Sequence, residues 1–367
     1  MTNVPWFERT HRWGQTNLTE IDPSRYDSRF WREQWRRTEI QGVIINAGGI
    51  VAFYPSENPL HYRASHLGGR DLYGDIVRDA REEGLTVIAR MDSNRATADF
   101  YREHPDWFTR DRNGRPYMAA DRYIACVNSE YYDEYLPSII REVIARSHPD
   151  GFADNSWAGL DARRICFCRN CTVRFRDAYG GDLPERVDFD DPTFRVWLRW
   201  NESRRTDVWR QNSRVTAKAG GPDCLWVGMI HGPQAALTNR FVNVRDVAHQ
   251  SKILFVDNQR RSAPDGFLLN AEVGSRLHGV LGWDRLLPES MAMYSAGHGF
   301  FRATSMPGAE VWTWAASGFA GGIQPWWHHI SAVHEDHRQY ATAQPLFQWH
   351  RVNENLLLVS AVSEKSP

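Results

Sequence analysis

The sequence predicts an α/β fold of the (β/α)8, or TIM-barrel, type. Three observations carry that expectation. Short, near-continuously apolar segments alternate with amphipathic ones from about residue 40 onward, eight such segments can be counted, and almost every one ends in polar or aromatic side chains. Apolar strands separated by helical patterns are what a parallel sheet covered by helices requires. In a barrel, all the C-terminal strand ends converge on one face, which is where reactive groups gather.

Taken in order, the expected strands are "GVIINAG" (42–48), "TVIARMD" (86–92), "YIACVN" (123–128), "GFADN" (151–155), "LWVGMIHG" (225–232), "KILFVDN" (252–258), "HGFFRAT" (298–304) and "GIQPWWHH" (322–329). Among the helices between them, "DLYGDIVRDAREEGL" sets Leu72, Ile76 and Ala80 on one stripe, with Leu85 a turn on and Gly84 as a stop. "YYDEYLPSIIREVIARS" reads as a helix that Pro137 either kinks or begins. The long interval between the fourth and fifth strands implies an inserted helical segment carrying a cysteine-rich loop. This divides the chain into an N-terminal extension packing on the barrel (1–40), the barrel itself (41–350) and a C-terminal tail (351–367).

Composition narrows the partners. With 42% hydrophobic and 24% charged residues and a formal net charge of -1, there is no basic patch for nucleic acid or a membrane surface. No run of apolar residues is long enough for a membrane span, and the N-terminus lacks a basic start followed by an apolar stretch. Five cysteines, three of them within six residues, do not make a disulfide framework, so a reducing cytoplasm is the expected setting. The 16 Trp, 13 Tyr and 17 Phe exceed ordinary core needs, and surplus indole suits a cleft for flat, partly apolar ligands such as sugar rings. Exposed aromatic surface on such a barrel also leaves a homo-oligomer open.

The cysteines form a motif. "ICFCRNC" supplies Cys166, Cys168 and Cys171, three tetrahedral ligand positions for Zn²⁺ from one loop-to-helix turn. Cys126 is the expected fourth ligand, because the end of the preceding strand lies beside this loop. Cys224 falls at the opposite end of the barrel. Four cysteine ligands leave no open position, which makes the metal structural.

The region "ACVNSEYYDEYL…DGFADNSWAGLDARRICFCRNCTVRFRDAYG", residues 125 to 180, resembles the β-galactosidases of glycoside hydrolase family 42 and related glycosidase-like barrels. In that family a cysteine after strand three and a Cys-x-Cys-x-x-Cys loop complete a zinc site. The resemblance therefore implies a barrel hydrolase acting on a carbohydrate. The chain departs from the family pattern at the catalytic positions. The family's strand four ends in Asp-Asn-Glu, with the glutamate as general acid/base, whereas this chain has Asp154, Asn155 and Ser156. The expected seventh strand, "HGFFRAT", offers no carboxylate for the family's nucleophile. A second resemblance, to fucosidase-like barrels including the α-L-fucosidases of family 29, implies an aspartate nucleophile at the end of strand four. Asp154 matches that placement.

Glycoside hydrolysis ordinarily needs two carboxyl groups flanking the scissile bond. Asp154 is the expected nucleophile of a retaining reaction, with Glu272 as acid/base and Asp257 as its fallback; Asp92 is a third candidate carboxylate, read rather as a hydrogen-bonding residue or salt-bridge partner of Arg90 or Arg95. Asn46, Arg90, Asp92, Asn128, Asn155, Trp157, His231, Trp326, Trp327 and His328, all at or just beyond strand ends, are the expected sugar-binding set. A catalytically degenerate carbohydrate-binding barrel, and a non-hydrolytic carbohydrate enzyme such as a lyase, are the alternatives.

Overall fold

A computed structural model describes residues 4–154, 159–261, 266–295 and 304–359. Its centre is a parallel sheet of nine segments that curls until its two ends meet. The end segments, Leu225–Trp226 and Ile230–His231, are halves of one strand: the first pairs with Gly151–Asp154 and the second with Val256–Asp257. The result is a closed barrel of eight strands. They are β1 (Trp13–Asn17), β2 (Gly42–Gly49), β3 (Thr86–Asp92), β4 (Gly151–Asp154), β5 (the two segments from Leu225 to His231), β6 (Val256–Asp257), β7 (Pro288–Ala292) and β8 (Gln324–Ile330). The helices stand outside.

Three strands differ from the expectation. β1 lies within the segment read as an N-terminal extension, and it pairs with both β8 and β2 at the centre of the sheet order. Its sequence, "WGQTN", has one large apolar residue and so gives no apolar run. Arg122–Ile124 is not in the barrel; it joins Arg95–Ala96 and Met118–Ala119 in a small antiparallel sheet above β3. The seventh barrel strand is "PESMA", residues Pro288–Ala292, whose proline and buried glutamate disguise it. The segment expected there, 298–304, lies outside the described residues but for Thr304.

The helices follow their signals more closely. Leu72–Glu82 is capped by Asp71, whose side chain accepts from the Gly74 N–H, and it runs out at Gly84 with φ +72°. Pro137 stands in the first α-turn of Leu136–Ser147, directly after a π-turn over Tyr131–Tyr135, so regular helix begins at the proline. The final helix, Arg338–Val359, extends into the stretch read as a tail. Between β4 and β5 come the helices Arg169–Tyr179 and Pro192–Gly220.

A strand's period of two sorts its side chains between the barrel interior and the helix layer. Trp13, Ile44, Ile88, Ala153, Val227, Met229, Phe255 and Trp326 form one interior cluster with Trp6 and Phe7 of the short helix Trp6–Arg9. Their rings meet edge-on or tilted: Trp6 to Trp13 at 6.0 Å, Trp13 to Phe255 at 5.0 Å, Phe255 to Trp326 at 5.5 Å. This aromatic plug fills the lower barrel. The alternate residues, among them Phe152 and Trp327, pack outward with the helices.

One glycine is needed for that outer packing. A Cβ on Gly14 would lie 2.2 Å from the ring of Trp327, whose indole N–H donates to Thr38 Oγ1 at 3.0 Å. Gly14→Ala is expected to lose about 1–3 kcal/mol of stability by displacing that ring. Urea denaturation checks it, and an unchanged midpoint would show that the ring has room to move.

Candidate active site and metal centre

Two residues above the plug, the same inner faces turn polar. Alternation from Trp13, Ile44, Ile88, Met229, Phe255 and Trp326 brings Gln15, Asn46, Arg90, His231, Asp257 and His328 to the barrel interior, and Asn17 and Asp92 one step higher. These are the C-terminal strand ends, the open face of a barrel.

The groups are tied into networks. Arg90 Nη2 donates to Asp92 Oδ1 at 3.2 Å, and Asn46 Oδ1 accepts from the Leu18 N–H at 3.0 Å. His328 is held at both ring nitrogens, Nε2 by Gln15 Nε2 at 3.1 Å and Nδ1 by Ser290 Oγ at 3.0 Å. An amide nitrogen only donates, so His328 Nε2 accepts and its proton sits on Nδ1. Gln259 Nε2 donates to Asp257 Oδ1 at 2.8 Å, Tyr294 O–H donates to Gln259 Oε1 at 2.7 Å, and the Tyr294 ring stands edge-on to His328 at 5.4 Å. A wall of hydrogen bonds bridged by one ring contact thus runs from Asp257 to Gln15. His231 pairs in register with Asp257; burial pulls its imidazole below the usual range even though the Asp257 charge opposes this.

Other residues expected at the cleft lie elsewhere. Asp154 follows Ala153 on the strand and so faces away from the interior. It is fully buried, and its carboxylate accepts from the backbone N–H of Ser93 at 3.4 Å and from the Ser93 hydroxyl. Glu272 is exposed on the helix Leu268–Leu281, one turn from Arg276. One carboxylate is sealed behind β4 and the other lies on an outer helix face, so the structure does not bring the pair together across a bond. The retaining scheme built on that pair loses its geometric basis. Trp326 belongs to the plug and Trp327 to the helix layer, both with no exposure, so neither forms an open stacking platform. Asn128 serves the cysteines, as described below. Asn155 and Trp157 lie outside the described residues.

Gln15, Asn17, Ser290, Gln259 and Tyr294 were not anticipated. The alternation of Trp13, Gln15 and Asn17 is the one signal that could have found any of them, once "WGQTN" is read as a strand.

Beside the barrel, Cys126, Cys166, Cys168 and Cys171 place their sulfurs within 4.8 Å of one another, all buried. Cys126 Sγ is 3.4 Å from Cys171 Sγ and 3.5 Å from Cys168 Sγ. A tetrahedral ion with sulfur at about 2.3 Å needs sulfurs about 3.8 Å apart, so the donor set fits such an ion. Cys168 precedes the helix Arg169–Tyr179 as its N-cap and Cys171 sits in its first turn, where the helix dipole favours thiolate. Asn128 donates through its backbone N–H to Cys126 Sγ at 3.4 Å and through Nδ2 to Cys171 Sγ at 3.3 Å. The cysteines cluster with Leu160, Ile165, Phe175, Phe194 and Trp197 in a small core of their own.

The N-terminal part of the chain, residues 32–156, matches the family described as hypothetical glycosyl hydrolase 6. No curated protein matches the sequence. Among solved structures, α-L-fucosidase isoenzyme 2 from Paenibacillus thiaminolyticus superimposes with a TM-score of 0.71 at 14% identity, over 95% of this chain and 50% of that one. The β-galactosidases of the psychrophilic Marinomonas ef1 and of Bacillus circulans sp. alkalophilus each give 0.69, at 12% and 13% identity, covering 61% and 57% of their own lengths and 95% and 96% of this chain. At these identities the likeness is one of fold, and the chain spans between half and three fifths of those proteins. No helix among the described residues is long and apolar enough to cross a membrane.

One further carboxyl marks the outer wall. Glu289 of β7 is fully buried, and burial holds it far above the usual range despite hydrogen bonds from Asn270 and Asn258. Burial favours the neutral acid in the folded chain, whereas the unfolded chain ionises it near 4.5. Its share of stability is therefore complete below that pH and falls as pH rises above it, by up to about 1.4 kcal/mol per pH unit. Glu289→Gln is expected to gain on wild type steadily between pH 5 and pH 8 in urea midpoints. Parallel midpoints across that range would assign Glu289 an ionised state.

Proposed function

We propose that the protein is a glycoside hydrolase whose chemistry lies at the open end of the barrel, with Asp92 and Asp257 as the reacting carboxyl pair. The observation that carries this reading is the convergence of both carboxylates with Arg90, Asn46, His231 and His328 on the inner strand ends. The match to a glycosyl hydrolase family over residues 32–156 and the glycosidase fold of the neighbours support it. In this assignment Asp92, fixed by Arg90, attacks the sugar or activates water, and Asp257 passes a proton to the leaving oxygen. His231, whose imidazole burial holds below the usual range, and Asn46 bind hydroxyls, while His328, held at both ring nitrogens by Gln15 and Ser290, braces the wall behind them. The cysteine centre holds one structural Zn²⁺ that takes no part in bond cleavage. A reducing, cytoplasmic setting belongs to the same reading, because none of the five cysteines is joined in a disulfide.

Release of nitrophenol from a panel of aryl α- and β-glycosides tests the assignment. Asp92→Asn and Asp257→Asn are each expected to lose about 10²–10⁴-fold in kcat/KM, and Glu272→Gln nothing. Asp154→Asn is expected to lower thermal stability, with kcat intact in the folded fraction. Full activity in both Asp92→Asn and Asp257→Asn would move the chemistry elsewhere. Ser156, standing where family 42 carries a glutamate, favours a second reading, a sugar-binding barrel without turnover. Calorimetric sugar binding in a hydrolytically silent wild type would select it.

Metal analysis provides a separate check. Protein purified without added metal is expected to carry about one zinc per chain, and Cys171→Ser to carry none. A folded wild type free of metal would remove the zinc assignment.

A further inference from the structure

Behind the cysteines lies a buried cation that neither the hydrolase reading nor the fold accounts for. Arg205 projects from the long helix Pro192–Gly220 and is 2% exposed. Its Nη2 donates to the Leu160 carbonyl at 3.0 Å and its guanidinium lies 5.1 Å from the centre of the Phe241 ring. Nε and Nη1 are buried without a hydrogen-bond partner. The neighbouring Arg204 is paired with Asp133, whereas Arg205 makes no ion pair with a carboxylate among the described residues.

A guanidinium cannot escape its charge by giving up a proton at neutral pH, and burying it without an anion costs several kcal/mol. The groups around it that can carry negative charge are the Tyr132 phenol and the thiols of Cys126 and Cys171. Tyr132 is fully buried and its phenol stays neutral. That leaves the sulfurs. Arg205, Cys126 and Cys171 line one small cavity, together with Asn128 and Phe241. Four thiolates around a divalent ion carry a net charge of 2−, which is the counter-charge Arg205 lacks. With four neutral thiols the same pocket would hold an uncompensated cation.

We propose that Arg205 is the electrostatic partner of the tetrathiolate metal centre, binding the long helix to the cysteine loop only when the metal is loaded. This rests on the zinc assignment above. Metal and guanidinium then stabilise one another: the cation favours the four thiolates, and the loaded centre relieves the buried cation. Asn128, donating to Cys126 and Cys171, holds the sulfurs from another side. Partners of this kind around a metal site are worth about 10–100-fold in affinity.

The experiment compares wild type, Arg205→Met and Arg205→Lys, each loaded with one zinc and then challenged with a chromogenic chelator. Thermal unfolding is followed in the loaded and stripped forms. Arg205→Met is expected to release zinc at least about tenfold more readily and to melt below wild type when loaded. Stripped, it should melt at or above wild type, because the uncompensated cation is gone. That reversal of order is what a packing role alone would not give. Equal zinc retention in wild type and Arg205→Met, or an equal loss of stability in both forms, would overturn the proposal. Should Arg205→Met not fold, Arg205→Lys decides: retention within about threefold of wild type supports a role for charge, and zinc loss as complete as in Cys171→Ser overturns it. A wild type that binds no zinc fails the zinc assignment and this proposal with it, whereas a zinc-bound wild type indifferent to Arg205 fails this proposal alone.

Discussion

A closed parallel barrel gives each strand residue one of two destinations, and the rest of this structure depends on that sorting. The interior is narrow, and in the lower half Trp13, Phe255 and Trp326 fill it. Polar groups can face inward only above this plug, where the strands end. One register step decides which side of the barrel wall a residue reaches: Ala153 faces in and Asp154 out, Trp326 in and Trp327 out, Asp257 in and Asn258 out. Two aspartates that look alike at the ends of apolar segments are thereby assigned opposite work. Asp257 joins the wall that runs to His328, while Asp154 ties β4 to the turn after β3 through Ser93.

The outward polar groups have a consistent chemistry of their own. Asn258 donates to Glu289 Oε2 and to Asn270 Oδ1, Asn270 donates to the Trp314 carbonyl, and the Trp314 indole donates to the Asn258 carbonyl. This closed set joins β6, β7 and the helices Leu268–Leu281 and Gly308–Ala320. β6 is only two residues long, so it has few ladder hydrogen bonds to hold it. A buried polar network that is mostly satisfied can fix a register that a short ladder leaves loose. His329, on the outer face of β8, shows the same economy. Burial lowers it to about 3, so it is neutral and can bond Gln339 without the cost of a charge.

Much of the fold could be read in the sequence because parallel strands buried on both faces appear as apolar runs, as in β2, β3 and the start of β8. The reading failed where a strand lacks that run. β1 carries a polar inner face, Gln15 and Asn17, and β7 carries a proline and a glutamate whose burial is tolerated only by its partners. Residues 123–128 erred the other way: "YIACV" is apolar because it begins in the small antiparallel sheet and contributes Ile124 and Cys126 to the cysteine core, not because it belongs to the barrel. The site was partly visible for the same reason. Strand ends locate the mouth, but the sequence does not reveal which of two adjacent residues faces it when the run is apolar on both sides. Asp154 and Asp257 differ by that one unreadable step.

The cysteine segment obeys a different constraint. Its core is small and set apart from the main one, and the loop before Arg169–Tyr179 has little regular structure to order it. Small cores of this kind are marginal unless stapled. The four-cysteine group brings residue 126 beside residues 166–171 across a long interval, and a metal cross-link there would restrict the unfolded chain as well as order the folded one. Asn128 and Arg205 border the same sulfurs, Asn128 as a donor to Cys171 and Arg205 as a buried cation lining the same cavity. The segment in turn reaches the barrel: Arg204 donates to the Val127 carbonyl and to Asp133, and Gln211 donates to the Tyr132 carbonyl, joining the long helix to the chain that leads into β4. These bonds tie the four-cysteine core, through the long helix, to the chain that leads into β4, whose end borders the barrel mouth.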